Sequence, residues 1–121
     1  MKDLTPKRTP SKPEVYTITY TVTTVGDVLP NPKVMYKDGD GMVETEALPL
    51  GSWEKTIQLN KGEEIFLQVD LHSMQGCLVE LEAKGNSNQG GKVKESNSRT
   101  INPPTDYKMV FPVSVKIRKT V

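Results

Sequence analysis

The chain has 121 residues, 35% of them apolar, with 16 Lys and Arg against 15 Asp and Glu for a net charge of +1. That length makes one domain with a core of its own, and near-neutrality excludes a global field that would gather nucleic acid or an anionic membrane. The single cysteine, Cys77, excludes an internal disulfide, and the densest apolar run, Met109 to Val113, is far too short for a membrane-spanning helix.

Residues 1–13 carry Pro6, Pro10 and Pro13, with Lys2, Lys7, Arg8 and Lys12 facing only Asp3. Such a segment cannot bury enough surface to fold. It is expected to be a flexible basic tether, leaving 14–121 as the folded domain. A solvated tail is the simpler reading of the tether, and an arm for nucleic acid or heparin is the competing one. Met1 passes directly into this sequence with no export signal. We therefore expect the natural gene to encode a signal upstream, ending in a lipidated cysteine.

From Glu14 to Thr24 the residues alternate, with Tyr16, Ile18, Tyr20 and Val22 on one face and threonines on most of the other. Strand side chains point to opposite faces in turn, so this pattern writes one dry face and one wet face. Gly26-Asp27 and Pro30-Asn31-Pro32 break it. A second strand holds Val34 and Tyr36. Asp38-Gly39-Asp40-Gly41 then makes a hairpin turn, because Gly and Asp tolerate positive φ. The return strand is Met42 to Glu46, and Pro49 and Gly51 mark a corner.

Trp53 opens a strand with Ile57 and Leu59 inward, ended by the turn Asn60-Lys61-Gly62. Ile65, Leu67, Val69 and Leu71 form the next inward set, followed by Cys77, Val79, Leu81 and Ala83. The polar loop from Gly85 to Gly91 is expected to be mobile, and Lys92 to Ser96 to be a short, weak strand. After Asn102-Pro103-Pro104 the last strand carries Phe111, Val113, Val115 and Ile117 inward. The spacing predicts an all-β, antiparallel β-sandwich of seven to eight strands, with a closed barrel as the alternative.

Candidate chemistry is thin. Asp38, Asp40 and Glu44 could begin a Ca²⁺ site, but a solvated hairpin tip explains them without a third loop ligand. His72 and Cys77 are too few for a zinc site, and Cys77 falls on an inward register that suits a small buried hydrophobe. Glu80 and Glu82, with Glu63 and Glu64 a strand away, would have to flank a cleft to act as a glycosidase pair. On an exposed strand face they stand side by side in water. No phosphate-binding glycine loop is present, since Gly90-Gly91 leads into a strand. The residues therefore imply no catalytic site, no metal and no cofactor. Trp53 and Tyr36 are the candidate ligand-binding residues, since such rings stack on sugars, although a lone Trp opening a strand also suits a core.

Tyr20-Thr21-Val22-Thr23 with Gly26-Asp27, Val34-Met35-Tyr36-Lys37-Asp38 with Asp40-Gly41, Leu48-Pro49 before Trp53-Glu54-Lys55-Thr56, Gly62, and Gly91-Lys92-Val93-Lys94-Glu95-Ser96 follow in an order that resembles a known family. It is that of the extracytoplasmic domain of the small mycobacterial membrane proteins called MmpS, with related small lipoproteins of the Bacteroidales. The resemblance covers Tyr16 to Ser96 and implies an immunoglobulin-like sandwich outside the cytoplasmic membrane. In the mycobacterial family the domain assists a lipid exporter and follows an N-terminal membrane helix that is not in this chain. Leu50-Gly51-Ser52 before Trp53 and the long C-terminal strand also depart from the pattern. The family offers no catalytic residues to carry over.

The expectation is a non-enzymatic exported module, in the periplasm or at the cell surface. It would be membrane-anchored through an N-terminal segment outside this chain and would bind a protein or envelope component rather than nucleic acid. An accessory part in envelope transport would follow from the resemblance. The competing expectation is a small-ligand or carbohydrate binder that uses Trp53 and Tyr36.

Overall fold

A computed structural model describes residues 12–39, 41–104, 106 and 108–121. Most of the basic tether, Asp40 and Tyr107 lie outside the described residues. Eight strands follow in order: β1 (Val15–Gly26), β2 (Lys33–Lys37), β3 (Val43–Ala47), β4 (Ser52–Asn60), β5 (Glu64–Ser73), β6 (Cys77–Ser87), β7 (Lys92–Ile101) and β8 (Phe111–Thr120). They form two four-stranded antiparallel sheets, ordered β4-β1-β6-β7 and β3-β2-β5-β8. The chain is thus the β-sandwich that its period-two patterning predicts.

The strand order explains the immunoglobulin-like character. The sheet β3-β2-β5-β8 has the C′-C-F-G order of such domains, and β1 beside β4 reproduces strand B beside strand E. The departure lies between β5 and β8. There the chain leaves its sheet to make the β6–β7 hairpin, which flanks β1 where strand A would lie, and then returns as β8.

Alternation is strict on the strands that build the core. Ile18, Tyr20, Val22, Val34, Ile65, Leu67, Val69 and Val79 are fully buried, while Thr17, Gln58 and Lys116 point out to water. Each large aliphatic side chain so buried contributes roughly 1.5–3 kcal/mol relative to exposure. Tyr20 joins the two layers directly. Its hydroxyl donates to the carbonyl of Lys37 on β2 at 3.4 Å and accepts from the amide of Phe66 on β5 at 3.3 Å. This satisfies a phenol that would otherwise be costly to bury.

Both lateral openings between the sheets are closed by polar side chains. On one side Lys119 of β8 pairs with Glu95 of β7 at 2.8 Å, and Asn97 Nδ2 donates to the Lys116 carbonyl at 2.9 Å. On the other, Glu46 of β3 meets Trp53 and Lys55 of β4. At one end of the sandwich, Asp27 accepts from the amides of Met74 and Gln75 at 2.8 and 2.9 Å, holding the β5–β6 connection against the end of β1.

Two expectations are corrected. The segment from Gly85 to Gly91 is not a free loop, because β6 continues to Ser87 and pairs with β1 as far as Tyr16. The turn beyond it is also held: Asn88 Oδ1 accepts from the Val15 amide at 3.0 Å, and Ser87 Oγ donates to Glu14 at 2.7 Å. Nor is β7 short and weak, since it runs ten residues, to Ile101. Its ladder with β6, from Asn86–Lys92 to Cys77–Ile101, supplies what its polar composition lacks.

Gly85 explains why the strand could pass for a loop. It faces Ile18 where β1 and β6 approach so closely that a Cβ would lie 1.9 Å from the carbonyl oxygen of Thr17. Glycine is required here by proximity and not by an unusual φ. Gly85→Ala should therefore destabilise the fold by about 1–3 kcal/mol or more, read as a lower midpoint in thermal unfolding followed by circular dichroism. An unchanged midpoint would mean that β1 yields at Thr17 without cost.

Candidate functional site

The two aromatic candidates do meet. Tyr36 on β2 and Trp53 on β4 belong to different sheets, yet their ring centroids lie 5.4 Å apart, and Tyr20 approaches Tyr36 edge-on at 6.2 Å. Glu46, one strand over on β3, gathers their polar ends. It accepts from the Tyr36 hydroxyl, from Trp53 Nε1 at 3.4 Å and from Lys55 Nζ at 3.4 Å. The Lys55 ammonium also stands 5.7 Å from the Tyr36 ring centroid, where the ring's quadrupole attracts it. The group forms a lateral seal: aromatic on the inside, with one carboxylate and one ammonium on the outside.

That geometry bears on ligand binding. Tyr36 is 3% exposed and Trp53 8%. Their hydrogen-bonding atoms are engaged by Glu46, so neither ring presents a face on which a sugar could stack. Burial, helped by the neighbouring Glu46, raises the Tyr36 hydroxyl above its ordinary pKa, and the Tyr36 hydrogen bond holds the Glu46 carboxylate below its own. Burial pushes Tyr20 up to about 12.

The remaining candidates are dispersed. Asp38 lies just beyond β2 on the hairpin tip, Glu44 is exposed on β3, and Asp40 lies outside the described residues. His72 is exposed on the outer face of β5, whereas Cys77 points into the core from β6, with burial raising its thiol pKa. Glu63 precedes β5 and Glu64 begins it, while Glu80 and Glu82 stand on the outer face of the other sheet. Among the described residues no three His, Cys, Asp or Glu side chains group as metal ligands would.

A different feature emerges at one end of the sandwich. The β1–β6 ladder sets Tyr16 opposite Ser87 and Gly26 opposite Cys77, so residue 14 and the β6–β7 turn share one end. Val121 lies at that end too, hydrogen-bonded to Gly62 and Glu63. At the opposite end stand Val25, Leu50, Met109 and Val110, exposed by 59, 74, 63 and 48%. Gly51 meets Thr24 there, and Phe111 pairs with Ser73. Alternation could not reveal this placement, because Leu50, Met109 and Val110 lie outside the strands and Val25 near the end of β1, and only topology sets them at one end.

No family model, curated protein or solved structure matches this chain.

The seal and the Tyr20 bridge predict opposite limbs of a stability profile. The Glu46 carboxylate is more acidic in the folded state, so its contribution holds above about pH 4.5 and is lost as the pH falls. Tyr20 is less acidic when folded, so its contribution is complete below pH 10.0 and is lost as the pH rises towards about 12. Urea midpoints measured across pH should fall on both sides. Glu46→Gln should flatten part of the acid limb, the rest belonging to Glu14 and Glu64, which are also held low by hydrogen bonds. Tyr20→Phe should flatten part of the alkaline limb, the rest belonging to Tyr36 and Cys77, which burial also holds above their ordinary values.

Proposed function

We propose that this chain is a non-enzymatic binding module of the cell envelope, exported and anchored through a segment ahead of residue 14. It would hold its far loop end towards a partner protein. The observation that carries this reading is the placement of Val25, Leu50, Met109 and Val110 together at the end away from residue 14. Exposed apolar side chains at the loop end of a sandwich are the material of a protein interface. At roughly 3.4 Å per residue, the twelve residues of β1 set that end about 40 Å from the tether.

The envelope address draws on the resemblance to MmpS extracytoplasmic domains and small Bacteroidales lipoproteins, and on the proline-rich basic start. An accessory role in envelope transport would follow from the same resemblance. The non-enzymatic part is supported by the separation of His72, exposed to water on β5, from Cys77, buried in the core on β6 of the other sheet. A carbohydrate-binding role centred on Trp53 and Tyr36 has less support, because both rings are enclosed.

The reading is tested by placing a photo-crosslinking residue at Leu50 or Met109 in the cells that make the protein, with Glu44 near the other end as the control position. A discrete adduct from Leu50 and Met109 but not from Glu44 is the expected result. Adducts from Glu44 alone, or none from either loop position, would overturn it.

A further inference from the structure

The outer faces of the two sheets are built on different plans. On the β3-β2-β5-β8 face several charges and polar groups satisfy one another. Glu64 binds Lys37 at 3.0 Å and Arg118 at 2.7 Å, and Asp70 accepts from Gln68 at 3.0 Å and from Ser114 at 2.7 Å. On the β4-β1-β6-β7 face Thr19 and Thr56 bond to each other at 3.1 Å, but the charges are left unpaired. The ladders stack four cross-strand rows there: Gln58–Thr17–Asn86–Lys92, Thr56–Thr19–Lys84–Lys94, Glu54–Thr21–Glu82–Ser96 and Ser52–Thr23–Glu80–Ser98. The first two rows carry only positive charge and the last two only negative. None of these six charged side chains has an ion-pair partner among the described residues.

This face also carries open surface depressions. Two open hollows of about 860 and 530 Å³ run along it and share Thr21 and Glu82, making one trough beside the threonines of β1. A third, of about 370 Å³, is lined by Lys84, Lys92 and Lys94.

We propose that the trough binds an extended acidic oligosaccharide, a chain of sugars bearing carboxylates. The hydroxyls of Thr17, Thr21 and Thr23 and the side-chain amides of Gln58 and Asn86 both donate and accept, as the hydroxyls of a sugar do. Glu80 and Glu82 accept from vicinal hydroxyls, and Lys84 and Lys94 take the sugar's carboxylates. The chemistry disfavours other occupants. A peptide strand would need free backbone groups, and the ladders consume those of β1 and β6. A second copy of the same face would set hollow against hollow. Nothing in this site draws on the loop end, so the two surfaces stand or fall separately.

The test is a titration of isotope-labelled protein with a galacturonate tetramer, followed by amide NMR, with a neutral glucose tetramer and inorganic polyphosphate as comparison probes. Shifts should centre on 17–23 and 82–86 with the galacturonate tetramer. Lys84→Glu with Lys94→Glu should weaken binding by about tenfold or more. Thr17→Val with Thr21→Val should weaken it several-fold with the rest of the spectrum intact, since valine suits a strand. Leu50→Ser should leave binding unchanged. Polyphosphate binding as tightly as the uronate, indifference to the threonine substitutions, or no shift in these segments at millimolar ligand would each overturn the proposal.

Discussion

Strand β1 lies between β4 and β6, and its inner and outer faces have opposite tasks. Tyr16, Ile18, Tyr20 and Val22 turn inward to fill the space between the sheets, and the intervening threonines turn outward. The side-chain period is two, so a one-residue slip in either ladder would bring threonines into the core and tyrosines into water. Burial therefore fixes the register of β1 against β4 and β6, and that register decides which polar residues meet on the outer face. The Tyr20 bridge to Lys37 and Phe66 ties the same strand to the opposite sheet. The glycine at 85 lets β6 come close enough to complete the pairing.

The closure of the sandwich explains how its edges are managed. An open gap between two sheets admits water to the core, and free edge strands invite pairing with other chains. Here polar side chains close both gaps: Glu46 with Trp53, Tyr36 and Lys55 on one side, and Glu95–Lys119 with Asn97 on the other. The first seal encloses the chain's only tryptophan. An indole NH placed near the surface keeps a hydrogen-bond partner while its ring remains in the core.

Much of this is legible in the sequence, and the exceptions share a cause. The strands with strict alternation can be read directly, as can the inward Cys77, because burial against one layer imposes period two on local sequence. The far half of β7 cannot, since Asn97 and Ser98 have no strand preference of their own and are held by β6. Gly85 looks like a loop residue because proximity across a ladder leaves no local trace. For the candidate site, Trp53 and Tyr36 can be picked out as aromatic residues. Their enclosure by Glu46 depends on β3 and β4 meeting across the gap between the sheets, which no spacing encodes. The apolar loop end and the charge rows are likewise products of topology and register.

The sorted charges on the β1 face weigh against a purely structural origin. Lys84 and Lys94 stand directly opposite one another on paired strands. Like charges in that relation destabilise a sheet by a few tenths of a kcal/mol to about 1 kcal/mol. Exchanging one lysine with Glu82 or Glu80 would remove that repulsion without touching the core, and the other sheet's outer face shows that this fold accommodates mixed, paired charges. Stability alone gives no reason to keep positive rows at one end and negative rows at the other. A ligand that meets the lysines with carboxylates and the glutamates with hydroxyls supplies one, because the repulsion borne by the free protein is relieved on binding.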